Sequence, residues 1–296
     1  MLELEILGSN ATAPTKEGPA SCYLLHTETG LVLVDAGPGS LLAYCSRYGL
    51  DQLRGIVVTH MHADHSLDLM AWAYRWTFPE VLPRVPLFLP EGEAHRVAAF
   101  DAVFGIPTLP TMNQPITQSF GITAMPRDGR TVHEVDGVAF RSFAAHHSVP
   151  SAALRFEAPD GRTVAFSSDT GHCAPVAEAA READLFVCEA TYLEADEQAL
   201  HGHGHLTARM AGSWPPRPTR ATWCSPTSPA PPTGTRAADT RGRPSGEGQC
   251  GRPREPVLSR RSRRVRLRRS VWTILASGVA PPNAVSTACP APGWEP

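Results

Sequence analysis

The stretch GIVVTHMHADHSLDL (55–69) decides how the rest of the chain is read. Its opening, GIVV, is an apolar, β-branched run of the kind that forms a strand buried on both faces. Directly after it come His60, His62, Asp64 and His65, on a strand-to-helix turn. Neutral imidazole and carboxylate are ligands for zinc and similar divalent ions. Alternation sends His60 and His62 one way, with Asp64 and His65 where the turn begins, which suits two adjacent ions better than one. A solvated polar turn would need no such density of histidine after a buried strand.

Working outward, LELEIL (2–7) alternates like a half-buried strand and stops at Gly8. SCYLLHT (21–27) and GLVLVDAGPG (30–39) make a hairpin pair, the second apolar as far as Asp35. Helical spacing is expected over SLLAYCSRYG (40–49), HSLDLMAWAYRW (65–76) and APVAEAAREA (174–183). Further strands are expected at VPLFLP (85–90), GVAFRSFAAHH (137–147), SAALRFE (151–157), RTVAFSSD (162–169) and DLFVCEAT (184–191). Strand–helix alternation with polar residues at strand ends indicates a layered α/β domain.

The 296 residues are 42% hydrophobic and 19% charged, ordinary for a globular protein with a sizeable core. The net charge of -2 conceals a split. Residues 1–210 hold 13 Lys+Arg against 25 Asp+Glu, whereas residues 211–296 hold 14 Arg, no Lys and 4 acids, with 15 of the 29 prolines. The reading is therefore of a domain at 1–210 and a Pro/Arg-rich region at 211–296. Seven cysteines without paired spacing make neither a disulfide scaffold nor a zinc ribbon; Cys22, Cys45 and Cys188 read as small core residues. No apolar run approaches the length of a membrane span, and MLELEILGSN has no base before its apolar stretch, so a cytoplasmic protein is expected. Gly37-Pro38-Gly39 lacks the continuation of a dinucleotide fingerprint, and there is no Walker loop.

HxHxDH after a strand resembles the metallo-β-lactamase fold hydrolases, and the wider pattern resembles their ribonuclease Z and phosphodiesterase-like branch. LGSNATAPT (7–15), LVLVDAGPG (31–39), HSVPSAALRF (147–156), FSSDTG (166–171), CEATY (188–192) and HLTA (205–208) occur in family order. The resemblance implies a four-layer αββα sandwich with two divalent ions, zinc first and manganese second, and hydrolysis by a metal-bridged hydroxide. It implies that His60, His62 and His147 hold one ion, Asp64 and His65 the other, with Asp169 shared. The family places its ligand just before the Ser-Val-Pro turn, which selects His147 over its neighbour His146. Asp64, Glu189 and His205 fall at catalytic positions, Glu189 supporting His205 as a proton donor. His205 also ends the run HGHGH (201–205), which reads equally as a solvated loop. Asp35 reads as a carboxylate that anchors loops around the site, and His26, His95, His133 and His172 as histidines outside it.

One spacing narrows the substrate. The common bacterial ribonuclease Z proteins carry a long arm for transfer RNA between the ligands matching His147 and Asp169. Here those two residues are 22 positions apart, with two strands and a turn between them. With an acidic body, which opposes phosphate attraction, this favours a small phosphodiester such as a cyclic nucleotide over a tRNA 3′-processing endonuclease. A homodimer is compatible with the resemblance.

The family also supplies a last ligand, a His closing a strand like Leu-Val-Leu-Thr-His some twenty residues after HLTA. This chain has no His beyond His205. In its place stand SWPPRPTRATWCSPTSPAPP (213–232) and SRRSRRVRLRRS (259–270). One account is a disordered basic tail with affinity for nucleic acid. The other is a frameshift: in the neighbouring frame, GC-rich codons for 221–232 read HLVLTHLARAA. Without that His the second ion is expected to be weakened and apolar surface of the sheet left uncovered, and an inactive or single-metal binding protein is a rival reading; a restored frame would give an intact two-metal hydrolase. VWTILASGVA (271–280) is apolar enough to form an element of its own.

Overall fold

The computed structural model describes residues 2–195, 200 and 202–213, with the backbone of three later strands, Ala221–Cys224, Arg263–Val265 and Val271–Val279. The two accounts of 211–296, tail or frameshift, fall largely outside the described residues.

Two seven-stranded sheets face each other. The first contains β1 (Glu3–Gly8), β2 (Cys22–His26), β3 (Leu31–Val34), β4 (Leu53–Val57), β5 (Val85–Pro90) and β6 (Phe120–Met125) in chain order, with β13 (Arg263–Val265) outside β1. The second runs β12 (Ala221–Cys224), β14 (Val271–Val279), β11 (Leu185–Tyr192), β10 (Thr163–Phe166), β9 (Ala152–Glu157), β8 (Val138–Ala144) and β7 (His133–Val135).

LVLV of β3 is apolar throughout because it is covered twice. Val32 and Val34 pack between the sheets with Leu154, Phe156, Val164 and Val187. Leu31 and Leu33 pack outward, in the cluster that holds Tyr44 of α1 (Ser40–Cys45) and Trp72 and Trp76 of α3 (Leu69–Thr77). The outer face of the second sheet is covered by α6 (Ala174–Ala180) and α7 (Ala208–Gly212), through Val176, Ala179, Ala180 and Ala211. Helix, sheet, sheet and helix give the four-layer αββα sandwich.

The helix expected over 65–76 is broken. α2 (Ala63–Ser66) ends two residues before α3, because Asp68 N–H donates to Ala36 O (3.0 Å) and the Asp68 carboxylate accepts from Leu41 N–H (3.0 Å). The strand expected to reach His147 stops at Ala144, where Ala145 N–H turns to Ser151 O (3.0 Å). The stretch 94–135 adds α4 (Ala94–Phe104), α5 (Pro115–Ser119), β6 and β7, elements that its periodicity does not announce. Cys22 and Cys188 are buried, but Cys45 is exposed on the outer side of α1, so it is not a core residue. VWTILASGV does form an element: as β14 it pairs with β11 in parallel from Leu185↔Val271 to Tyr192↔Val279. No helix among the described residues is long and apolar enough to cross a membrane.

β3, β4, β5 and β6 are mutually parallel, as are β10, β11 and β14. Their C-terminal ends form one rim, where open α/β sheets bind ligands.

Candidate metal centre

β4 delivers His60 to that rim, fully buried, with Thr59 before it. His62 caps the start of α2, which carries Asp64 and His65. The second sheet brings His147 after β8, Asp169 after β10, Glu189 within β11 and His205 just before α7. All eight residues expected at the site therefore converge, from segments 145 residues apart at the extremes (60 to 205).

Three imidazoles form the first group. His62 Nδ1 lies 3.2 Å from His60 Nε2 and 3.0 Å from His147 Nε2. One ring nitrogen thus faces two others, and a single proton cannot serve both contacts. Burial lowers all three histidines below the ordinary imidazole range, while the Asp169 charge opposes the shift in each, and the net direction favours neutral rings with lone pairs to donate. Converging neutral nitrogens of this kind fit a divalent ion, and His60, His62 and His147 together could hold one.

The second group is more anionic. His65 Nε2 is 3.4 Å from Asp169 Oδ1 and 3.8 Å from Asp64 Oδ2. His60, His65 and Asp169 also make a set able to hold an ion, with Asp169 Oδ2 3.8 Å from His60 Nε2. Asp169 faces both groups. Burial works against its charge, but His65 and His60 outweigh that and keep it ionised. Burial likewise opposes protonation of His65, yet Asp169 and Asp35 raise its pKa well above the usual value.

The surroundings orient these donors. Buried Asp35 accepts from His65 Nδ1 (2.7 Å), Thr59 N–H (2.8 Å), Thr59 Oγ1 (3.1 Å) and Ser21 Oγ (3.0 Å). It is an anchor for the ligand loops. Asp35→Ala strands those donors in the interior, and should cost about 3–5 kcal/mol of stability in urea unfolding of the metal-free chain. His147 Nδ1 is fixed by Gly204 O (3.0 Å). Gly204 has φ +70°, and a Cβ there would come within 2.3 Å of His146 O and 2.7 Å of His147 Cα. The HGHGH run therefore has a structural purpose at its second glycine. Thr12 N–H donates to Asp64 Oδ2 (2.9 Å) from the loop after β1. Thr12, Asp35 and Ser168 all have positive φ, local strain gathered around one site.

Glu189 accepts Thr170 N–H (2.7 Å), Thr191 Oγ1 (2.8 Å) and His205 Nδ1 (3.1 Å). Burial raises the Glu189 carboxyl, while its hydrogen bond to His205 opposes the rise. Burial lowers His205, but the Glu189 bond and charge more than reverse it, so the net shift is upward. His205 is therefore a fixed, half-buried side chain rather than part of a freely solvated loop. His146 stands apart from the donor groups; its backbone N–H goes to Thr170 Oγ1 (3.0 Å) and its carbonyl accepts Gly171 N–H (2.7 Å). Thr12, Thr59 and Tyr192 lie within the motif stretches 7–15, 55–69 and 188–192, and Gly204 within HGHGH, but the sequence reading singles out none of the four as a site residue.

Residues 31–215 match the beta-lactamase superfamily domain. The chain belongs to that superfamily. Within it, this metallo-β-lactamase fold protein is 29% identical to the ribonuclease Z of Streptomyces avermitilis over 246 residues, covering 71% of this chain and 81% of that one. It is 28% identical over 217 residues to an uncharacterized protein, ML1173, of Mycobacterium leprae, covering 71% and 73%. The crystal structure of human tRNase Z, short form, superposes with a TM-score of 0.57 at 20% identity, over 72% of this chain and 87% of that one. The superfamily implies divalent metal binding, and the chain is a metal-dependent hydrolase of the ribonuclease Z and phosphodiesterase branch.

Proposed function

We propose that the domain at 1–210 is a phosphodiesterase for small phosphodiesters. The observation that carries this reading is the short path from His147 to Asp169. β9 and β10 are joined by a tight turn, closed by Ala158 N–H to Arg162 O (2.8 Å) and Gly161 N–H to Ala158 O (2.9 Å). No arm for a folded RNA branches from it. The alignments are compatible with this: 71% of this chain aligns over 246 residues with the ribonuclease Z and 71% over 217 with the mycobacterial relative. The excess of acids over bases in 1–210 also disfavours a polyanion.

The donor sets fit metal, three imidazoles for zinc in the first group and a carboxylate-rich set for zinc or manganese in the second. Divalent ions there would supply Lewis acidity and an activated water. The chain's own residues do the rest. Asp64, held by Thr12 N–H, and Asp169 keep carboxylates in the cleft. The contact of His205 with Glu189 through Nδ1 raises the His205 pKa against burial and leaves Nε2 to pass a proton to the departing oxygen.

The test is turnover of bis(p-nitrophenyl) phosphate and a cyclic nucleotide, with zinc or manganese, against cleavage of a precursor tRNA. Hydrolysis of the small diesters alone supports the proposal. Preferential tRNA cleavage would make the chain a 3′-processing endonuclease, and no turnover with fewer than two bound ions would favour the single-metal binding protein.

A further inference from the structure

The open cleft in front of the metal groups has a volume of about 200 Å³. Ser9, Asn10, Ala11 and Thr12 form one wall; Thr191, Tyr192 and His205 line the other. The first wall is stiff, since the Asn10 side-chain amide donates to Gly18 O and Pro19 O, both at 2.8 Å. Among the described residues lining the cleft there is no Lys or Arg. A substrate that reaches it therefore finds no lysine or arginine to pair with its phosphate, and binding strength beyond the metal groups and His205 has to come from uncharged contacts.

Tyr192 is placed to give one. It is half-buried at the end of β11, its ring centroid 6.1 Å from that of His205 with the planes at 81°. Its backbone is tied down, N–H to Leu206 O at 3.3 Å, with a bridge to Thr207. The pairing of β11 with β14 slips between Ala190 and Tyr192. Irregularities of this kind beside active sites re-aim a side chain that regular alternation would send elsewhere. The other aromatic of the cleft, Tyr23, is buried and serves the core between the sheets.

We propose that Tyr192 is a specificity residue that stacks on a nucleobase, so that the substrate is a nucleotide phosphodiester with its base next to the scissile phosphate. An aromatic face binds every base, needs no charge, and suits a cleft lined by no Lys or Arg. The ring stands beside His205, which puts the base on the side of the departing oxygen. This inference rests on the phosphodiesterase reading and adds the identity of the group beyond the phosphate.

Calorimetry on the metal-loaded full chain tests it, with adenosine 5′-monophosphate and ribose 5-phosphate as ligands that differ by the base alone. The nucleotide should bind about 10–100-fold more tightly, the scale of one base–aromatic stack. Tyr192→Phe should keep that preference, and Tyr192→Ala should reduce it to about threefold or less with ribose 5-phosphate binding unchanged. Equal binding of the two ligands by the native chain, or a preference that survives Tyr192→Ala, overturns the proposal. Turnover of bis(p-nitrophenyl) phosphate separates the two levels. If the diester is hydrolysed and the base preference is absent, only the stacking role falls; if no diester is hydrolysed, the phosphodiesterase reading falls with it.

Discussion

Replacing Asp169 by alanine is expected to lower phosphodiester turnover by about four orders of magnitude, the scale at which groups that act as a unit fail together. Among the described residues, Asp169 is the carboxylate that faces both donor groups, through Oδ1 toward His65 and Oδ2 toward His60. Its loss should also show in metal content after gel filtration, counted by plasma mass spectrometry, as a fall to about one ion per chain, the one that His60, His62 and His147 could still hold. Asp64→Ala is the informative partner. Asp64 approaches the second group only, so three imidazoles remain intact and about one ion should be retained. Two retained ions in Asp169→Ala would rule out a shared ligand at this position.

The second large effect depends on the leaving group. His205→Ala is expected to slow hydrolysis of a cyclic nucleotide by about 10²–10⁴-fold, because the ribose oxygen departs poorly without a proton. On bis(p-nitrophenyl) phosphate the loss should be about tenfold or less, since p-nitrophenolate is stable unprotonated. Equal losses on both substrates would remove His205 from the role of acid. The pH dependence has a definite sign. The acid works while protonated, so its activity is lost as pH rises through the His205 pKa. Burial pulls that pKa down, and Glu189 overrides burial and raises it. Glu189→Gln should therefore move the alkaline limb of the rate profile to lower pH.

The metal groups were legible because their chemistry is written in side chains at fixed spacing after apolar strands. GIVVTH announces a strand end, and only a few functions call for His60, His62, Asp64 and His65 at that point. Asp35 was legible for the same reason, as a lone carboxylate ending an apolar run. The rest of the site is held by backbone. Thr12 reaches Asp64 through its N–H and Gly204 reaches His147 through its carbonyl, and every residue type carries those groups. Tyr192 lines the cleft beside a slip in the pairing of β11 with β14, a strand some 80 residues away in sequence. The broken helix at Leu67–Asp68 has a similar origin, since Ala36 O competes for the N–H that would have continued it. Cys45 looked apolar in SLLAYC, but α1 packs its Tyr44 face inward and leaves Cys45 outside.

The division of the donors between the two sheets has a thermodynamic consequence. His60 and His62 belong to the first sheet and its connection, whereas His147 follows a strand of the second. An ion held by all three rivets the layers across their shared rim. Parting the layers would then require giving up the ion, and the fold gains RT ln(1 + [M]/Kd), about 4 kcal/mol when free metal stands a thousandfold above its dissociation constant. Metal supply would govern how long the sandwich survives as well as whether it turns over, so a starved cell would lose the protein along with its activity.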